Sequence, residues 1–272
     1  MRLVALSLGG LALFLWPFAG AGLPADAPAF AVALGAIGVL VLVEYGTRRL
    51  DARGLALLAA IAAIDAALRL AFVTGIGGFS PIFFLILCAG FTFGPAFGFE
   101  AGAVAMLVSA VATGGVGPWL PYQLFAAGWV GVAAGLVGGR LVGPPRGRDL
   151  VLLALVGFGA GFAYGALMDI WNWTFFATSP DLGWVPGASA GETVTRFGHF
   201  YLVTSLAYDS FRAVGNALLI VVLGAPVLAA LARLRVRLRF EIVPLGVLTD
   251  DPGPGARGPL VERSLTAPAS DR

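Results

Sequence analysis

The chain has 272 residues, 17 basic and 15 acidic side chains, a formal net charge of +2, and 59% hydrophobic against 12% charged residues. With a mean hydropathy of +0.92 it lies outside the soluble globular range and inside that of polytopic helical membrane proteins. Every basic residue is arginine, so a Walker-type phosphate loop and a Schiff-base lysine are excluded, and the lone Cys88 and lone His199 offer no disulfide and no metal-ligand cluster.

A bilayer core of about 30 Å requires roughly 17–25 apolar residues per helix. The pattern predicts spans at 3–20, 29–46, 54–73, 97–113, 119–140, 150–178 and 199–232, with a shorter eighth at 80–94. The expected fold is therefore all-α, a polytopic membrane bundle. The first segment also has the look of a signal peptide, with Arg2, an apolar run and the small residues FAGAG after Pro17. Residues 1–50 are read as an accessory amino-terminal hairpin, 51–239 as the core membrane domain, and 240–272 as a disordered tail without apolar periodicity. The 80–94 segment is too short to be covered by lipid throughout, and is expected to be surrounded by protein, thinly covered, or extended by irregular backbone.

Counting spans alternately from a cytoplasmic Met1 puts the arginines at 2, 48, 49, 53, 140, 146, 148, 233, 235, 237 and 239 inside and only Arg196 in an outer loop. This satisfies the positive-inside rule and needs 80–94 to cross. The expected location is the cell membrane, multi-pass, with a cytoplasmic carboxyl terminus. Three rows of small residues have the fourfold spacing of close helix contacts: Ala59, Ala63 and Ala67; Gly98 and Gly102; Gly157, Gly161 and Gly165. Packing within the chain is the ordinary use of such rows, and one of them is free to face a partner.

Ionisable groups inside a membrane are costly unless paired or set in a wet cavity. Asp65 and Arg69 share a helix face, as do Asp169 and Asn172, and Ser205, Asp209, Arg212 and Asn216 form a stripe at spacings of four, three and four. With alternating spans, Arg69, Asp169 and Asp209 fall in the outer half of the membrane. They are level there with the ledge Gly117-Pro118-Trp119-Leu120-Pro121-Tyr122-Gln123 and with Trp171 and Trp173. Two arrangements fit: a polar, aromatic cavity open to the outside, or self-contained ion pairs beneath an interfacial tryptophan belt. Glu100 is expected to be a solvated carboxylate at a span end, and the glycine-rich 74–80 connection is either a plain turn or a mobile gate.

The segments FSPIFFLILCAGFTFGPAFGFEAGAVAMLVSA, GGVGPWLPYQLFAAGWVGVAAG, YGALMDIWNW and TSLAYDSFRAVGNALLI together resemble the substrate-binding S-components of energy-coupling factor transporters, from about Gly54 to Arg235. The resemblance implies a six-helix core that captures a vitamin or related micronutrient from outside and topples to deliver it. It also implies a transmembrane coupling component and two ABC ATPase subunits as partners, with surrounding lipid, no nucleic acid, no cofactor and no catalysis on this chain. The GPW-x-P-x-Q pattern most resembles cobalamin-type members, with riboflavin, thiamine and other flat or cationic vitamins as alternatives. On this reading Trp119, Tyr122 and Trp173 supply aromatic surface, Gln123 and Asn172 neutral hydrogen bonds, and Asp169, Asp209, Arg212 and Arg69 orientation. Ala59, Ala63 and Ala67 would form the docking row, although Asp65 lies between two of them in sequence. The rival is a proton-coupled secondary transporter using Asp65, Asp169 or Asp209 as a relay.

Overall fold

A computed structural model gives the structure of residues 2–19, 38, 50–71, 81–138, 145–176 and 181–238, and the description below is confined to these. They are all-α, with no strand. The helices are α1 (Arg2–Leu15), followed by a short 3-10 turn (Trp16–Ala19), α2 (Ala52–Ala71), α3 (Ile82–Phe93), α4 (Pro95–Thr113), α5 (Leu120–Gly138), α6 (Gly147–Phe176), α7 (Ala190–Thr204) and α8 (Leu206–Leu238). Except at residue 38, the predicted 29–46 span lies outside the described residues, as do the 74–80 connection and the 240–272 tail.

Four of these helices, α4, α5, α6 and α8, are long and apolar enough to cross a membrane. Of the other predicted core spans, α2 carries Arg53, Asp65 and Arg69 within twenty residues, and α3 has only twelve. At 1.5 Å per residue α3 is about 18 Å long. Its surroundings compensate: ten of its twelve residues are buried, and it packs against α2, α4, α5, α6 and α8. Phe83 at its start meets Tyr164 of α6, with ring centroids 4.7 Å apart, while the Thr92 carbonyl at its end accepts from Arg235 Nη1 of α8 at 2.7 Å. A cation there satisfies a carbonyl of the last turn and complements the helix dipole. Arg235→Ala is expected to cost about 1–2 kcal/mol, read as a lowered unfolding midpoint of the detergent-solubilised protein.

Small residues set the helix spacing. Gly90 of α3 and Gly98 of α4 both approach the Gly131 carbonyl of α5 so closely that a Cβ at either would overlap it, and a Cβ at Gly102 would overlap the Ala127 carbonyl. The α3–α4 corner is made by Gly94, whose φ of +97° is costly for any side chain, followed by Pro95 at the first position of α4. The third row, Gly157, Gly161 and Gly165 of α6, faces α8. Both glycine rows are therefore used inside the chain. Ala59, Ala63 and Ala67 of α2 are all exposed.

The predicted 199–232 span is two helices. α7 and α8 meet at Ser205, which has a non-helical φ of −122°. Ser189 caps α7 by accepting from the Glu192 N–H at 3.2 Å, and Phe200 is the one residue that α7 buries. α1 is not peripheral either: Trp129 Nε1 donates to Ser7 Oγ at 3.2 Å, and Phe14 lies edge-on to Tyr122 with centroids 5.0 Å apart.

Candidate functional site

The end of the bundle that holds the close of α2, α4 and α6 and the start of α3, α5 and α8 gathers most of the predicted polar and aromatic residues. Its centre is Asp209 in the first turn of α8. Asp209 is ion-paired with Arg212 one turn on, and its Oδ2 accepts from Tyr201 Oη of α7 at 2.9 Å. Gly165 of α6 makes the room, since any Cβ there would fall on the Asp209 carboxylate. Arg212 also donates to the Gly161 carbonyl at 3.3 Å and lies 5.5 Å from the Tyr164 ring centroid. One turn further, Asn216 Nδ2 donates to the Gly157 carbonyl at 3.1 Å. The polar stripe of α8 is thus matched turn by turn to the glycine row of α6, where the missing side chains leave carbonyls open to it. Close backbone approach and hydrogen bonding across helices are the means by which membrane helices associate.

Asp169 stands one turn beyond Gly165 on the same face of α6, next to Ser205 and within electrostatic range of Asp209 and Arg212. It is buried, and its Oδ2 has no hydrogen-bond partner among the described residues. Trp173 follows one turn later, buried, with Nε1 donating to the Leu182 carbonyl at 2.6 Å and its ring 5.3 Å from Phe197 of α7. Phe197 is itself 6.4 Å from Tyr201. Asp169, Trp173, Phe197, Tyr201 and Asp209 form one continuous corner between α6, α7 and α8.

The ledge belongs to a second group. Trp119 Nε1 donates to the Gly115 carbonyl at 3.0 Å, which folds the indole back over Gly117 and leaves it no free donor. Trp119 and Tyr122 both pack on Trp171, with centroids 6.2 and 5.7 Å apart. Trp171 is two residues, or about 200° of helix, from Asp169. The ledge therefore meets α6 on the side away from the acidic corner, and Tyr164 with Arg212 lies where the two groups adjoin. Tyr122 is only 1% exposed and accepts from Trp16 Nε1 at 3.3 Å, so its ring is enclosed by α1 and α6 rather than open for stacking. Gln123 is half-buried one turn after Trp119.

Several expectations need correction. Asp65 and Arg69 do not pair among the described residues. Arg69 Nη1 reaches instead to Ser109 Oγ at 3.1 Å and Met106 Sδ at 3.3 Å on α4, toward Tyr164, while both Asp65 oxygens are buried without a hydrogen-bond partner there. Asn172 is exposed whereas Asp169 is buried, so the two do not face one cavity. Glu100 is 4% exposed, not a solvated carboxylate. Asp65 is buried on the face of α2 opposite the alanine row, so it does not interrupt that row. Tyr164, in the middle of α6, and Tyr201, near the end of α7, touch the central ion pair and carry no distinguishing signal in the sequence. An apolar groove of about 320 Å³ between α5 and α6, lined by Ala126, Trp129, Ala163 and Leu167, has no charged group among its described lining residues to orient a ligand.

Comparison of the chain with protein-family models, with curated proteins and with solved structures returns no match.

Proposed function

We propose that this chain is a membrane-embedded binding subunit that takes up a vitamin or related micronutrient at the aromatic and charged end of the bundle. It hands its ligand on through a separate coupling component driven by two ATPase subunits. The observation that carries the reading is the two-faced character of α2. Of its charged residues, Arg53 is exposed at the start of the helix while Asp65 and Arg69 turn into the bundle, and Ala59, Ala63 and Ala67 form an exposed strip without a bulky or charged side chain. A strip of that kind allows another helix to approach and slide. The resemblance of the GPW-x-P-x-Q ledge puts cobalamin, beside riboflavin and thiamine, among the ligands to test, and the proposed setting is the cell membrane with the binding end outside and the carboxyl terminus cytoplasmic.

The decisive experiment combines native mass spectrometry of the purified chain with co-purification against a coupling component and its ATPases. Retention of a small molecule and stoichiometric recovery with the partners are the expected results. A second reading, proton-coupled transport, is favoured by Asp65, a buried carboxyl without a hydrogen-bond partner among the described residues and the group such a cycle would use. Recovery of the chain alone, with uptake that collapses when the proton gradient is removed, would replace the first reading by the second.

A further inference from the structure

We infer that the corner between α6, α7 and α8 selects a flat organic cation, with Asp169 as the charge that recognises it; this rests on the reading of the chain as a binding subunit. The charges facing the corner are Asp169, Asp209 and Arg212, and Arg212 is committed to Asp209 and to the Gly161 carbonyl. Tyr201 spends its hydroxyl proton on Asp209 as well. Arg69 is bonded to Ser109 and Met106 on α4. Asp169 is left with Ser205 beside it and a buried oxygen that nothing in the described chain fills.

A buried carboxylate oxygen accepts a neutral amide N–H or a cationic N–H with similar geometry, but the two differ in charge balance. An amide leaves the negative charge of the corner uncompensated in a low-dielectric setting, whereas a cation cancels it and makes the stronger, charge-assisted bond. The walls agree with a cation carried on a ring. Trp173 follows Asp169 one turn later on α6 and meets Phe197 of α7 with the ring planes inclined at 61°, so the corner is aromatic as well as acidic, and aromatic faces attract cations. The cover over this corner is α7, held to the bundle by Phe200 and by the Tyr201–Asp209 bond and joined to α8 at Ser205, where the helix is already broken.

The test uses the full chain in detergent, with thiamine as a flat cation, riboflavin as a flat neutral ring and cyanocobalamin as an amide-rich ligand, each titrated by tryptophan fluorescence and by calorimetry. Thiamine is expected to bind more tightly than the other two. Asp169→Asn should weaken it about tenfold or more, with Asp169→Glu weakening it less and both variants remaining monodisperse. If Asp169→Asn does not yield folded protein, the wild-type order of the three probes decides. Preference for riboflavin or cyanocobalamin, or thiamine binding unchanged in Asp169→Asn, overturns the cation assignment and leaves the binding-subunit reading standing. If no probe binds, a molecule retained on native mass spectrometry decides by its charge. No binding and no retained molecule overturn both.

Discussion

Asp209→Ala is expected to destabilise the detergent-solubilised chain by about 3–5 kcal/mol, and Arg212→Ala by a similar amount, because each leaves a buried charge without its ion-pair partner. The side chains are 2% and 15% exposed, and water reaches neither carboxylate nor guanidinium freely. Losing both charges together is a different matter. In the double variant Asp209→Asn with Arg212→Met, the amide keeps the shape that fits the notch left by Gly165 and can still accept from Tyr201, while the methionine covers Tyr164. Replacing a buried ion pair by groups of similar volume is often close to neutral. The double variant is therefore expected within about 1 kcal/mol of the parent, measured by chemical unfolding followed through tryptophan fluorescence. A double variant as unstable as the sum of the single ones would mean that the two charges act independently and that the pair is not the centre of the α6–α8 contact. Asp209 is thus a poor residue with which to probe ligand binding alone, since its loss reaches the fold first.

Much of the bundle was legible because membrane helices obey few rules. Length and apolarity marked the spans from 97 to 178 to within a few residues, and the glycine rows at fourfold spacing marked contacts that the structure places between α4 and α5 and between α6 and α8. The stripe Asp209, Arg212 and Asn216, at spacings of three and four, keeps to one helix face as Gly157, Gly161 and Gly165 do at spacings of four, so the two rows can meet turn by turn. The break at Ser205 was not, since Thr204-Ser205-Leu206 contains neither glycine nor proline and continues an apolar pattern. A signal did exist upstream: Ser189-Ala190-Gly191-Glu192 has the form of a capping box, and its serine does cap α7. Depth placed Asp169, Trp173, Asp209 and Arg212 at one end correctly, yet depth says nothing about direction around a helix. The 200° between Asp169 and Trp171 separates the acidic corner from the Trp119 ledge, and the spacing of these residues on a helical wheel of α6 is enough to show it. Arg69 escaped in another way. Its spacing from Asp65 permits a pair, but a long arginine near a helix end extends along its neighbour toward the polar end of the bundle, and Ser109 and Met106 receive it there.

The two kinds of small-residue row should answer oppositely to the same substitution. Gly131→Leu is expected to abolish recovery of folded protein, because the new Cβ overlaps the carbonyl of Gly98 and the obstacle is backbone on a neighbouring helix rather than a side chain able to swing aside. Overpacking ordinarily costs about 1–3 kcal/mol, and more where neither wall can give. Here α4 and α5 must part, and α3 loses its seat at Gly90 as well. Ala63→Leu adds a bulky side chain at an exposed position of α2 and should change stability by less than about 0.5 kcal/mol. If that face receives the coupling component, a leucine ridge removes the close approach that the alanine strip permits, and co-purification with the partner complex should fall sharply while size-exclusion behaviour of the isolated chain is unchanged. The paired measurement separates the two roles that fourfold spacing alone leaves undivided. Partner recovery unaffected by Ala59→Leu, Ala63→Leu and Ala67→Leu would assign the strip to lipid contact and move the docking surface to another helix. A loss of folded protein in the alanine variants would show instead that α2 is covered on that side by another part of the chain.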